Sequence, residues 1–328
     1  MPLSVQAIQR IKQVLKRLLK AHAISCDFRM SDFCSAVNNS AQQSKSGKHL
    51  VTSASSSHAM SGQIPLSSFG LIADVHYADI DNGTNFSKTH NRYYRNSLSY
   101  VKTAVADWMR RAGTDDKISL ILDLGDLIDG YNAKHKSSVS ALKTVSEAFD
   151  PAGVPVIHVW GNHDLYNFTR QELHAMPQMN PVLSGLVSRP IDSSEHSMYF
   201  DVSLCPGFRL VVIDCYEVSM LGVDEKSDAY RCAEEIVRKE NKNEDLNSPS
   251  GLSGDKRRFV KFNGAVSHRQ LQWLDGVLRE SERRGEVVLV AGQHQFYVYV
   301  NQGSSNYGLR TPSGSQNHPT CFAKTLLL

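Results

Sequence analysis

Between residues 67 and 292 the chain alternates short apolar runs with longer stretches in which apolar residues recur every three or four positions. The runs at 67–73, 118–124, 154–160, 198–202, 208–213 and 286–291 predict strands, and the periodic stretches at 91–111, 137–149 and 267–284 predict helices. A run such as Val287-Val288-Leu289-Val290 has no polar face, so it suits a strand covered on both sides. Such strands alternating with helices point to an α/β fold. Residues 224–258 are charged and broken by Asn247, Pro249 and Gly251, which reads as a helix followed by a solvated loop.

Outside this span the pattern changes. Near the start Val5, Ile8, Ile11, Leu15 and Leu18 recur at helical spacing, with Arg10, Lys12, Lys16, Arg17 and Lys20 between them, as in a basic amphipathic helix. Residues 40–61 are Ser-rich and hold no acidic side chain, a composition that buries too little surface to fold. The pair fits an organelle transit peptide; a disordered extension, or a true start at Met60, fits as well. Residues 293–328 are polar and turn-rich. Three segments are therefore expected: an extension at 1–63, a globular domain at 64–292 and a divergent tail at 293–328.

Charge sharpens this division. The net +3 conceals a +6 carried by residues 1–63, so the remainder is mildly acidic and lacks the clustered Lys and Arg that a nucleic-acid surface needs. The six cysteines form no C-x-x-C pair, which makes a reduced, cytoplasmic setting the default unless the basic helix directs the chain to an organelle. No apolar run approaches the roughly 20 residues needed to span a bilayer, so no membrane partner is expected. Nothing in the sequence reports the oligomeric state.

Three of the expected strands end in polar residues that sheet burial does not require: Asp74-Val75-His76, Gly125-Asp126-Leu127-Ile128-Asp129-Gly130 and Gly161-Asn162-His163-Asp164. In an α/β sheet the carboxyl ends of the strands face one crevice, so these segments are expected to converge. Asp74 and His76, two apart on an extended segment, would point to the same side and hold one cation. Asp126 can bridge two cations, and Asn162 offers an amide oxygen to the second. Mixed carboxylate, amide and imidazole donors suit Mn²⁺, Fe²⁺ or Zn²⁺; Mg²⁺ is also conceivable. His163 is then free to give a proton to a leaving oxygen, with Asp164 fixing its tautomer. Asp129 reads as a turn residue.

This ordered set resembles the calcineurin-like metallophosphoesterase superfamily, whose blocks run D-x-H, G-D and G-N-H-[DE], then a His at a strand end and a final G-H-x-H. Further matches, among them Phe69 to Asp79, Arg92-Tyr93-Tyr94-Arg95, Gly125 to Gly130 and Asn263-Gly264-Ala265-Val266-Ser267, look like the manganese-dependent ADP-ribose/CDP-alcohol diphosphatases. The resemblance implies a sandwich of two β-sheets flanked by helices. It implies two divalent ions, Mn²⁺ foremost, and hydrolysis of a small nucleoside-diphosphate-linked substrate. Gly130 stands where protein Ser/Thr phosphatases carry Arg, and Asp129 where purple acid phosphatases carry a Tyr ligand. The match fails at the end. After Gly292 the superfamily supplies a His, but here Gln293 stands there and His294 follows one place late. With no G-H-x-H beyond, the second sheet is expected to be incomplete. Either His294, with His318, replaces the missing ligands, or the form is truncated and catalytically weak.

Overall fold

The structure, a computed structural model, describes residues 67–293 except 86, 87, 89 and 188–196, and beyond that span the strands at 27–29, 297–299, 308–310 and 325–327. Two four-stranded sheets form its frame. In the first, β1 (Asp27–Arg29), β2 (Ser68–Ile72), β3 (Ile118–Asp123) and β4 (Val156–His158) lie side by side in chain order. Strands β2 to β4 run parallel, and β1 pairs antiparallel at the edge. Parallel neighbours need a crossover between them. The helix α1 (Tyr94–Arg110) makes the first, burying Val101, Val105 and Trp108, and α2 (Tyr131–Lys134) with α3 (Ser138–Glu147) makes the second. After β4 come two short helices, α4 (Asn162–Asn167) and α5 (Arg170–Ala175).

The second sheet holds β5 (Phe200–Cys205), β6 (Phe208–Val212), β7 (Val287–Gly292) and β8 (Thr325–Leu327), in the order β8-β7-β6-β5. Strands β5 and β6 form a hairpin, whereas β6 and β7 run parallel, joined through α6 (Asp228–Glu240) and α7 (His268–Arg284). A single apolar cluster takes Ile121, Leu122 and Leu127 from the side of the first sheet and Leu210, Val211 and Leu289 from the second. That double-sided burial accounts for the unbroken apolar runs in the sequence.

The second sheet, expected to be incomplete, has four strands. Thr325–Leu327 pairs antiparallel with β7 and covers backbone groups that would otherwise form an open edge. Two other elements are shorter than their patterns suggest. The helix expected from residue 91 starts at Tyr94, because Asn91–Arg92 pairs with Gly83–Thr84 in a small ribbon. The strand expected over 154–160 keeps only Val156–His158 before the chain turns toward α4. Among the described residues no helix is long and apolar enough to cross a membrane. The basic amphipathic stretch, the Ser-rich segment and His318 lie outside the described residues.

Candidate metal centre

Three loops that leave the carboxyl ends of β2, β3 and β4 build one site. The first two are zipped by backbone hydrogen bonds: Asp74 N–H donates to Gly125 O (3.2 Å), His76 N–H to Asp126 O (2.9 Å) and Tyr77 N–H to Leu127 O (3.2 Å). The third is held by Asp164, whose carboxylate accepts from the N–H groups of Gly161 (2.8 Å), Asp126 (2.9 Å) and Leu127 (3.1 Å). The two loop glycines are steric requirements. A Cβ on Gly161 would stand 2.0 Å from Asp126 Oδ1, and Gly125, at φ +92°, would carry one 2.5 Å from Val159 O.

Backbone strain collects here. Asp74, His76 and Asp126 all adopt left-handed conformations, at φ 56°, 48° and 56°, each costing about 1–3 kcal/mol for a residue with a side chain. The expected reason for the convergence of Asp74 and His76, an extended segment, is thus corrected: β2 ends at Ile72, and two left-handed turns bring the side chains together. His76 Nε2 lies 3.2 Å from Asp74 Oδ1 and 3.8 Å from Asp126 Oδ2. His163 stacks edge-on against His76 with ring centroids 4.3 Å apart. One donor atom from each of His76, Asp126 and His163 falls within 4.8 Å of the others. Asn162 opens α4 beside them, its Oδ1 accepting from Tyr216 O–H (3.3 Å) and its Nδ2 donating to Tyr166 Oη (3.2 Å).

The role expected for Asp164 is also corrected, since its oxygens serve the three backbone N–H groups. His163 Nδ1 instead accepts from Gly130 N–H (3.0 Å) and lies 3.2 Å from Asp129 Oδ2. Asp129, which reads as a turn residue, is buried at the centre of the network. Arg92 Nη1 donates to it at 2.6 Å, and His76 Nδ1 lies 3.5 Å away. The signal for this was the repeated Asp in Gly125 to Gly130 together with Arg92, neither of which announces a contact across 37 residues.

Charge balance explains what such a site can hold. Asp74, Asp126 and Asp129 converge on two imidazoles and the Arg92 guanidinium. Burial alone would push the Asp129 carboxyl up, but the His163 and His76 imidazoles beside it outweigh burial and hold the group well below the usual carboxylate range. Burial would lower the pKa of His76, yet Asp129, Asp74 and Asp126 raise it. His163 is lowered, first by burial and then by the neighbouring His76. A carboxylate field that strengthens the hold of His76 on a proton favours a bound cation on the same grounds. Oxygen and imidazole donors within one coordination sphere fit a divalent ion of the Mn²⁺ or Zn²⁺ type.

Gln293 also enters the site, donating from Nε2 to Asp126 Oδ2 at 2.9 Å. His294, the expected replacement ligand, lies outside the described residues.

Known proteins place this geometry in context. The model of the calcineurin-like phosphoesterase family matches residues 67–292. Manganese-dependent ADP-ribose/CDP-alcohol diphosphatase from Xenopus tropicalis is 42% identical over 69% of this chain and 67% of its own length. The human protein of that name is 40% identical over 71% and 67%, and that of Arabidopsis thaliana 39% over 70% and 68%. A crystal structure of a dimetal phosphatase from Danio rerio superimposes with a TM-score of 0.64 at 38% identity, covering 70% of each chain. Converging loops, a carboxylate–imidazole cluster and these matches over more than two thirds of the chain lead to one conclusion: the protein belongs to the calcineurin-like phosphoesterase family.

Proposed function

We propose that this crevice hydrolyses the diphosphate linkage of small nucleotide substrates, ADP-ribose and CDP-alcohols, releasing a nucleotide and a phosphorylated sugar or alcohol. The names of the relatives support the substrate class. The observation that carries the chemistry is Asp126, buried at the junction of three loops, with His76 and His163 placing donors within 4.8 Å.

Asp74, His76, Asp126 and Asn162 would hold two divalent ions, with Mn²⁺ favoured by the relatives' names. When bound, such a pair lowers the pKa of a water molecule and clamps the attacking and leaving oxygens of an in-line displacement. Asp74, one third exposed, opens the cluster to solvent and to substrate. Protonated to the imidazolium, with Nδ1–H turned to Asp129 Oδ2 at 3.2 Å, His163 would give its Nε2 proton to the leaving oxygen and remain as a neutral ring. Asp129 keeps the His163 ring oriented during that transfer, and Asp164 holds the loops that carry Asp126 and Asn162 in register.

The test is to incubate purified protein with Mn²⁺ and ADP-ribose or CDP-choline and to separate the products by chromatography. AMP from the first and CMP from the second are expected, with neither formed by Asp126→Asn. Intact substrates after prolonged incubation with saturating Mn²⁺ would sink the proposal.

A further inference from the structure

Gln293 is the first residue beyond β7, and its side chain is 1% exposed. Its Nε2 donates to Asp126 Oδ2, but its Oε1 is buried and accepts from no donor. That oxygen rests against glycine backbone: an ideal Cβ on Gly125 or on Gly161 would lie 2.5 Å from it. The same point above Gly125 is 2.5 Å from Val159 O, which makes that carbonyl a neighbour of the pocket around Oε1. A buried amide oxygen without a donor costs roughly 1–3 kcal/mol. Reversing the amide would set Nε2 in the glycine-lined pocket near Val159 O, but it would also set Oε1 against the Asp126 carboxylate, oxygen to oxygen. That arrangement becomes favourable only with a cation between them.

We propose that Gln293 is a metal-responsive ligand. Its amide turns over when a divalent ion binds, so that Oε1 joins Asp126 on that ion and Nε2 enters the glycine-lined pocket near the Val159 carbonyl. An amide oxygen is a neutral, hard donor of the kind that Mn²⁺ and Mg²⁺ accept. The inference rests on the metal-site reading above and adds a fourth segment to it, at the end of β7 in the second sheet.

The first experiment uses the unaltered chain, labelled with ¹³C at the glutamine side-chain carbonyl and titrated with diamagnetic Zn²⁺. The Gln293 resonance, identified as the glutamine signal that broadens at the smallest Mn²⁺ additions, is expected to shift as Zn²⁺ saturates the site. The second measures Mn²⁺ affinity by calorimetry in Gln293→Met and Gln293→Leu. Binding is expected to weaken on the order of tenfold or more, the scale on which metal sites respond even to loss of a supporting hydrogen bond. A Zn²⁺-loaded protein whose Gln293 resonance stays in place would overturn the ligand role while leaving the metal site intact. So would variants that bind Mn²⁺ as tightly as the wild type or more tightly, the mark of an amide that merely occupies Asp126. Absence of metal binding by the unaltered chain would overturn both this inference and the proposed function.

Discussion

Asp126 and Asp214 occupy matching positions, each just beyond the carboxyl end of a parallel strand and each buried. Their surroundings differ. Asp214 pairs with the buried Arg170 guanidinium and accepts from the N–H groups of Met198 and Tyr216, both at 3.0 Å. Its own N–H donates to Gln270 Oε1, whose amide also reaches Glu217. Asp126 is met by imidazoles, with Asp74 and Asp129 crowding the same rings. Strain follows the same division, since Asp74, His76 and Asp126 are left-handed. A strand end therefore offers a location, and charge compensation decides its use. Matched one to one with a guanidinium, Asp214 is suited to scaffold; gathered with Asp74 and Asp129 around two imidazoles on strained backbone, Asp126 is suited to a cation.

The largest effect should come from exchanging the two acids. Asp126→Asn is expected to reduce Mn²⁺-dependent turnover to background and lower the ions bound per chain. Its metal-free melting temperature should hold or rise, because carboxylate crowding is relieved. Asp214→Asn should do the reverse, leaving Arg170 buried without its counter-charge at a cost of about 3–5 kcal/mol, while the folded fraction still binds Mn²⁺. Calorimetry and elemental analysis of both variants check this. Equal losses of stability and of metal in the two would erase the distinction.

A smaller effect separates ligands from proton donors. His163→Ala should slow hydrolysis by about 10²–10⁴-fold at unchanged metal content. Coincident loss of metal would make His163 a ligand, a role that its closeness to His76 and Asp126 allows. Asp129→Asn, which a turn residue should tolerate, is expected instead to reduce kcat by at least about 10²-fold, with little change in KM. Such losses follow when the acid that orients a catalytic imidazole is neutralised. Wild-type kcat in this variant would return Asp129 to the status of a turn.

Much of this was legible because apolar runs and polar strand ends are local signals. The sequence pattern located the strands to within a few residues, and the three loop motifs meet as crossover topology requires. What it could not supply were contacts made by side chains far apart in the chain. Sequence proximity makes Asp164 the natural partner of His163, which stands beside it, yet it binds backbone across 38 residues at Asp126. Asp129 looked like a turn because its partners, Arg92 and His163, lie 37 residues before it and in the next loop. Gln293 looked like a missing histidine, and only burial shows it reaching Asp126 across 167 residues. The fourth strand of the second sheet was hidden for a different reason: three residues of β8 carry too short a pattern to stand out from a polar tail.

The smallest expected effect lies at the far end of the second sheet, where Arg209 sits near the start of β6, away from Asp214. Its Nε and Nη2 donate to the Glu286 carboxylate at 2.7 and 3.0 Å, and Nη1 pairs with Asp201. The Arg209 hydrogen bonds hold the Glu286 carboxyl below its ordinary value, against a smaller opposing effect of burial. A folded-state pKa that is depressed adds stability at pH values above the unfolded pKa, roughly 4.3 for glutamate, and that stability is lost as pH falls through the folded value. Arg209→Met should therefore cost about 1 kcal/mol or less at pH 7, the scale of a partly exposed ion pair. The gap to wild type should narrow on acidification toward pH 3, with turnover at neutral pH unchanged. Denaturant melts of both proteins across this range test the cause: a gap that stays constant as pH falls would show that Arg209 stabilises the sheet by packing its methylenes and not by charge.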